Sequence, residues 1–424
     1  MKKITLGFLG CGNIGGHVYR LLEDMRADLE RQEGLSISLK KALVKSMDEA
    51  ATCAAPAELL TTDPNDIFSD PEISIVCEFM GGEHPAADFM LRALESGKTV
   101  VTANKVALAL NWHTLQAAAE AHGVGLYFEA SVCGAIPVIN VLQHSMQANR
   151  IDSLMGIING TTNYILSRMY LEGGDYADVL ADAQRLGLAE PNPTADVEGF
   201  DAAYKLSILS SLAFHGRVTF GQIHREGITG ITAVDIEAGK ELGYVPKLLA
   251  IAKKNGNRVE VRVHPTFLPT SHPLAHVNGS LNAVYLYGHS CEDIVLQGRG
   301  AGSPTASAIV SDIITAAHAE RPMYPTFANT AEPCADFVFD DNWMTRCFIR
   351  LSVTDAPGAL AAVTAAFAAE DVSIAAVMQK EKDVDDRTTV TFITHQAYEK
   401  SIRAALARLD SGICRVENVI RIEK

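Results

Sequence analysis

At 424 residues the chain is too long for one ordinary hydrophobic core, so two or three domains are expected. Hydrophobic residues make up 48% and charged residues 21%, the balance of a globular protein. The 36 basic and 51 acidic side chains leave a net charge of −15, which argues against a nucleic-acid partner or an anionic membrane surface.

Eight cysteines (Cys11, Cys53, Cys77, Cys133, Cys291, Cys334, Cys347 and Cys414) are scattered without a C-x-x-C pair. The spacing speaks against a zinc site and against a disulfide framework, and fits a reducing, cytoplasmic compartment. Among the histidines only His272 and His276 have helical spacing, and Pro273 makes a metal-binding helix there doubtful. The N-terminal apolar run is short and breaks into glycines, so it reads as a first strand rather than a signal peptide. No apolar stretch approaches the ~20 residues of a membrane span.

Ile4–Leu9 is strand-like and runs into Gly10-Cys11-Gly12-Asn13-Ile14-Gly15, followed by a helical pattern through about Glu30. A lone G-x-G-x-x-G is weak, but this one leaves a strand and opens an amphipathic helix, as a dinucleotide-binding turn requires. Gly10 permits the tight turn, Gly12 lets backbone approach a pyrophosphate, and Gly15 lets helix and strand pack closely. The next strand, Ile37–Val44, ends in Lys45-Ser46 where an NAD-selective site would carry an acid. A lysine suits a 2′-phosphate, so NADP(H) is preferred over NAD(H), against the plainer reading of a solvated strand end.

Further strands at Ile73–Phe79, Thr99–Thr102 and Gly125–Phe128 alternate with helices at Ala86–Glu95 and Thr114–His122, which predicts a parallel, doubly wound sheet. Ligands bind beyond the carboxyl ends of such strands. That draws attention to the loops Phe79–Gly82 and Thr102–Lys105, and to Lys105 beside the expected nicotinamide position.

From Ile136 the composition changes. Gly156–Leu166 reads as a strand leading through Asn159-Gly160 into a helix capped by Thr161 or Thr162. A helix then ends at Gly187, and Pro191 and Pro193 stiffen a loop that packs Glu190, Asp196, Glu198 and Asp201 into twelve residues. From Phe200 the chain is helical, placing Asp201 and Lys205 four apart on one face. A surface salt bridge there is worth a few tenths of a kcal/mol at most, about; the apolar neighbours favour burial instead.

The combination of TANK at 102–105, EASVCGAIPVI at 129–139, GIINGTTNYIL at 156–166, AEPNPTADVEGFDAAYKL at 189–206 and GRGAGSPTASAIVSDI at 298–313 resembles the homoserine dehydrogenase family. The motifs stand in the family's order and span most of residues 1–320. The resemblance implies reversible reduction of L-aspartate 4-semialdehyde to L-homoserine with NAD(P)H, in threonine and methionine biosynthesis. It makes Glu190, Asp196, Asp201 and Lys205 substrate-binding, with Asp201 counted among the catalytic groups. It makes Lys205 the residue matching the proton donor and Lys105 a second lysine where nicotinamide and substrate meet. An ammonium can both stabilise and protonate a developing alkoxide. The substrate's own ammonium is the cation that the acidic loop would hold.

The resemblance also implies a monovalent cation, sodium, on backbone oxygens of Glu129, Val132, Gly134 and Ile136. The family usually has Gly-Gly before Ile-Pro. This chain has Gly134-Ala135, so a methyl could restrict a backbone angle. Gly302, with Ser303 and Pro304, looks like the return of the chain to the nucleotide domain, at a helix start facing the cofactor.

Residues Glu320–Asn342, rich in proline, read as a linker. After Arg346 the order βαββαβ restarts, a ferredoxin-like unit. With Asp355–Leu360 at its first turn it resembles an ACT domain, which implies pairing between chains and an amino-acid effector. Threonine is the expected one, although Ser373 stands where many amino-acid-binding relatives carry asparagine.

The expected architecture is an α/β Rossmann-like nucleotide domain (1–135, completed by about 302–320), an α+β substrate and dimerisation domain (136–301), a linker (321–345) and an ACT domain (346–424). The absence of a large N-terminal extension leads to the expectation of a single activity, and the family to a homodimer or homotetramer. Two competing readings remain: a regulator that binds nucleotide and amino acid without catalysis, and a dehydrogenase for another small amino aldehyde.

Overall fold

The computed structural model describes residues 1–47, 53–324, 327, 331–379, 387–409 and 412–424. Of the stretch read as a linker, residues 325–326 and 328–330 lie outside the described residues. The chain divides into two compact units, Met1–Leu154 with Tyr204–Ile223 and Asn282–Phe337, and Met155–Ala203 with His224–Leu281 and Val338–Lys424.

The first unit is built on six parallel strands: β1 (Lys2–Leu9), β2 (Leu35–Leu43), β3 (Leu60–Thr61), β4 (Ile75–Glu78), β5 (Thr99–Thr102) and β6 (Leu126–Tyr127). Their order is β3-β2-β1-β4-β5-β6, the doubly wound order of dinucleotide-binding sheets. Strands covered on both faces carry apolar side chains on both, and β4 is accordingly buried throughout. Val18 and Leu22 of the helix Asn13–Asp24 join Ile309 and Ile313 of the helix Thr305–His318 in one core with Leu6 and Phe8 of β1.

Two local expectations change. The helix expected from Thr114 begins at Lys105, because the Asn104 side chain accepts the Ala107 amide at 3.0 Å and caps it. It departs from helical geometry at Asn111, which is why periodicity alone registers only its second half. The second change is a disulfide between Cys11 and Cys53, against the expectation of unpaired thiols. The two cysteines follow β1 and β2, adjacent parallel strands whose carboxyl ends lie at one edge of the sheet. Sequence spacing, at a separation of 42, carries no sign of that proximity.

In the second unit the sheet runs Tyr244–Asn255, Arg258–Pro269, Cys414–Ile422, Met344–Thr354, Arg387–Thr394 and Ile374–Gln379. The last four, with helices Ala359–Ala368 and Glu399–Ala407, form the expected βαββαβ unit around Ile349, Leu351, Phe367, Phe392 and Ile402. Its final strand also pairs in parallel with Arg258–Pro269, at Thr266↔Arg421 and Phe267↔Ile422. Glu423 extends this seam by binding Arg262 and Lys253. Within the stretch read as a linker, Val338–Phe339 forms a short strand beside Arg258–Val259, and Trp343 is buried against His224 and His264. The C-terminal module is therefore stitched into the sheet of the second unit. Among the described residues no helix is long and apolar enough to cross a membrane.

Lys247 is fully buried on the strand Tyr244–Asn255, where its ammonium donates to Asn163 Oδ1 (3.1 Å), Val277 O (2.5 Å) and Asn278 Oδ1 (3.2 Å). All three acceptors are neutral, so burial dominates and lowers its pKa to about 7. An unfolded lysine titrates near ~10.4. Between these values the unfolded chain holds a proton that the folded one lacks, so stability rises with pH over that window, by up to about 1.4 kcal/mol per pH unit. Thermal unfolding of wild type and Lys247→Met from pH 7 to pH 9 should show wild type gaining relative to the variant as pH rises. A pH-independent difference would contradict the assignment.

Candidate active site

The glycine turn of the first unit divides its work among three positions. Gly10 takes a left-handed φ of 96°, which favours glycine. A Cβ at Gly15 would lie 2.8 Å from the Gly10 carbonyl oxygen, so only glycine lets the helix start this close to the strand. Gly12 faces open space, with nothing within 4 Å of a Cβ built there. The amides of Asn13 and Ile14 open the helix Asn13–Asp24 behind it. Lys45 lies exposed just past the end of β2. Gly302, with a φ of 82°, accepts the Thr305 amide at 3.0 Å as the helix Thr305–His318 begins.

Glu78, at the end of β4, ties together the two loops singled out from the sequence. Fully buried, its carboxylate accepts Thr102 Oγ1 (2.6 Å), Asn104 Nδ2 (3.4 Å) and the Met80 amide (2.6 Å). Burial raises its pKa, and these hydrogen bonds oppose the rise. Asn104 also donates to Gly82 O at 2.7 Å. Thr102, Asn104, Glu78 and Gly82 thus form one braced edge, and Lys105 is the first residue of the helix that Asn104 caps. Sequence reasoning passed over Glu78. A lone acid closing an apolar strand was the available signal.

The acidic cluster of the second unit is organised by Asn159. Its Oδ1 accepts the Thr162 amide at 2.9 Å and caps the helix Gly160–Glu172, so the cap is Asn159 and not Thr161 or Thr162. Its Nδ2 donates to Asp196 Oδ1 at 2.7 Å and to Asp201 Oδ2 at 2.9 Å. Two carboxylates from different segments therefore converge on one neutral amide. Asp201 is buried and Asp196 half-buried. Glu190 is exposed on the loop, where its backbone oxygen accepts Gln184 Nε2. Glu198 braces the loop, accepting Thr229 Oγ1 at 3.0 Å. Lys205 is buried one turn beyond Asp201 on the helix Phe200–Phe214.

The segment Glu129–Ile136 is buried at Glu129, Val132, Gly134 and Ile136. Its left-handed residues are Cys133 (φ 57°) and Gly134 (φ 53°), so the methyl of Ala135 costs nothing there. Gly134 is pressed against Gly300, 2.7 Å from the Cβ it lacks. The Glu129 side chain accepts the Ile139 and Asn140 amides at 2.9 and 2.6 Å, while burial raises its pKa to about 7. Among the described residues no group of three His, Cys, Asp or Glu side chains could hold a metal ion.

Three family profiles match in chain order: the NAD-binding domain of homoserine dehydrogenase over residues 10–129, the homoserine dehydrogenase domain over 137–314, and the ACT domain over 348–411. The chain is similar to homoserine dehydrogenase of Corynebacterium glutamicum, with 41% identity over 100% of this chain and 96% of that protein. Its likeness to the Bacillus subtilis enzyme is 37%, over 100% and 99%. The crystal structure of a homoserine dehydrogenase from Thiobacillus denitrificans superposes with a TM-score of 0.92 at 38% identity, covering 100% of this chain and 99% of that one. Fold, nucleotide turn and acidic cluster together describe a nicotinamide-dependent oxidoreductase with an appended ACT domain. The chain belongs to the homoserine dehydrogenase family.

Replacing Asn159 by alanine removes the cap, worth about 1 kcal/mol of stability, and leaves Asp196 and Asp201 to repel one another. Homoserine-dependent kcat/KM should fall roughly 10- to 100-fold, since small misplacements of binding groups cost that much. Asn159→Asp should be worse than Asn159→Ala. Equal kcat/KM for wild type and Asn159→Ala would contradict the role given to this amide.

Proposed function

We propose that the chain catalyses the NADP(H)-preferring, reversible reduction of L-aspartate 4-semialdehyde to L-homoserine, with the substrate's ammonium held by Asp196 and Asp201. The convergence of these two carboxylates on Asn159 carries the reading, because it places side by side two acceptors to which one amino-acid ammonium can donate. Glu190, at the rim, adds a third carboxylate. A nicotinamide bound at the glycine turn would supply hydride to the aldehyde carbon, or take it from the hydroxyl-bearing carbon in reverse. In the reducing direction the carbonyl electron pair moves onto oxygen, and Lys205 donates the proton that completes the hydroxyl. In reverse Lys205 accepts it. Lys105, fixed by the Asn104 cap, helps to stabilise the alkoxide charge.

Lys205→Ala should lose at least about 100-fold in kcat, as expected when a general acid is removed, while Lys105→Ala falls less. Full turnover by Lys205→Ala, followed as reduced-nicotinamide absorbance, would overturn this assignment.

Lys45, exposed at the end of β2, is proposed to meet the 2′-phosphate of NADP(H). Lys45→Glu should raise the KM for NADP+ roughly tenfold or more, the scale of a lost and then reversed charge contact, and leave that for NAD+ nearly unchanged. Equal effects on both cofactors would contradict it.

Sodium is proposed on the backbone oxygens of Glu129, Val132, Gly134 and Ile136, four buried residues whose oxygens suit a hard cation; Glu129 O already accepts the Val132 amide and Ile136 O the Val138 amide, so the ion would use their second lone pairs. Such an ion would fix the turn through Cys133 and Gly134. The work is divided along the chain as 1–135 with about 302–320 for nucleotide, 136–301 for substrate and dimerisation, and 346–424 for regulation.

Threonine is the proposed effector of the ACT domain. The Asp355–Leu360 turn holds Gly358 at a φ of 92°, and the outer strand Ile374–Gln379, behind exposed Ser373, presents Val377 to solvent. L-Threonine, titrated into the homoserine oxidation assay, should lower the rate where L-valine does not. An unchanged rate with threonine, or equal inhibition by valine, would contradict the assignment.

A further inference from the structure

The acidic loop of the second unit does not hold its shape alone. Between Asp196 and Asp201 the chain turns at Gly199, whose φ of 75° suits glycine, with Arg225 and Val263 packed where its Cβ would be. Arg225 clasps both sides of that turn. Its guanidinium donates to the Glu198 carbonyl and stacks over the Phe200 ring, 3.5 Å from the centroid. The next residues repeat the grip: the Ile228 amide donates to Val197 O at 2.8 Å and Thr229 Oγ1 to the Glu198 carboxylate. A Cβ on Gly227 would strike Val197 O at 2.6 Å, so backbone lies on backbone here.

This clasp is itself tethered. The Glu226 amide donates to Val263 O at 2.8 Å, and its carboxylate binds His224 Nε2 (2.8 Å) and Arg421 Nη1. Arg421 lies on the last strand of the C-terminal module, where its Nη2 donates to Glu399 Oε1 at 2.6 Å. Arg421 and Glu399 are both buried, at 5% and 2% exposure. Burial alone would raise the Glu226 pKa, but the bonds from His224 and Arg421 outweigh it and hold the carboxylate ionised. Because Arg421 is buried, removing one of its carboxylate partners is costly, as the arginine's charge loses part of its compensation.

We propose that Arg225 is a positioning residue for the substrate-binding carboxylates, and that the ion pair between partly exposed Glu226 and buried Arg421 sets its place by fastening the clasp to the C-terminal module. The inference rests on the reading that Asp196 and Asp201 hold the substrate's ammonium. It identifies the route by which a shift of the module's last strand reaches substrate affinity. Hydride transfer and nucleotide binding use other groups, so the effect falls on homoserine.

The test compares full-length wild type, Arg225→Met, Arg225→Lys, Glu226→Gln, Arg421→Gln, the Glu226→Gln/Arg421→Gln double variant and Asp201→Asn. The readouts are homoserine KM, kcat and NADP+ KM. Arg225→Met and each tether variant should raise homoserine KM about tenfold, the scale of one lost charge-assisted contact. The kcat should stay within about threefold and NADP+ KM should not move, since uniform binding is what is lost. Arg225→Lys should recover part of the loss. The double variant should be no worse than the poorer single one, because both remove one interaction. Unchanged homoserine KM in Arg225→Met, or a fall in kcat alone, overturns the proposal whether or not the Glu226 and Arg421 variants fold. If Asp201→Asn also leaves homoserine KM unchanged, the substrate reading fails instead.

Discussion

The acidic cluster of the second unit depends on one amide. Asn159 caps a helix with its oxygen and, with its nitrogen, draws together Asp196 and Asp201 from a loop and a helix start about forty residues downstream. A neutral donor can satisfy one lone pair on each carboxylate without cancelling their charge. The result is a pair of carboxylates braced against one side chain. Under the proposed function, a lysine or arginine in place of Asn159 would compete with the substrate's ammonium for the two carboxylates.

The remaining architecture supports that amide from two directions. Lys247, buried on neutral acceptors, fixes Asn163 one turn along the same helix, and Asn163 in turn donates to Val277 and Leu281 carbonyls. From the other side Arg225 and the backbone of Gly227–Thr229 grip the loop that carries Asp196. Because Arg421 lies on the C-terminal strand and Glu423 just past its end, the C-terminal module is part of the sheet that supports this grip. Removing it would uncover a buried strand edge, so its contribution is better read through single side chains than through truncation.

What the sequence discloses here is what local physics determines. The G-x-G-x-x-G turn is legible because strand, glycine spacing and helix sit within a dozen or so residues. The alternation of strands and helices gives the parallel sheet, and the second restart after Arg346 gives the βαββαβ unit. The acidic loop is conspicuous from Glu190, Asp196 and Asp201, and Lys205 from its place one turn beyond. Other features arise only from tertiary convergence. Asn159 reads as a neighbour of two better-looking caps until the aspartates arrive beside it. Cys11 meets Cys53 because β1 and β2 are adjacent, and no spacing rule encodes that. Glu226 finds Arg421 across 195 residues. The helix at Lys105 was half hidden by the break at Asn111. The reservation over Ala135 came from a motif comparison, and the left-handed angles fall on the two residues before it.

The most direct test of the account is to offer wild type and Asp196→Asn two alcohols, homoserine and 4-hydroxybutanoate, its counterpart without the ammonium, and to compare kcat/KM for each. A site built to bind the cation should discriminate by about 1,000-fold or more in wild type, as sites with unpaired buried polar groups do. Asp196→Asn should lose much of that ratio by its effect on homoserine alone. Comparable kcat/KM for both alcohols in wild type would contradict the claim that the carboxylates gathered by Asn159 recognise the substrate's ammonium.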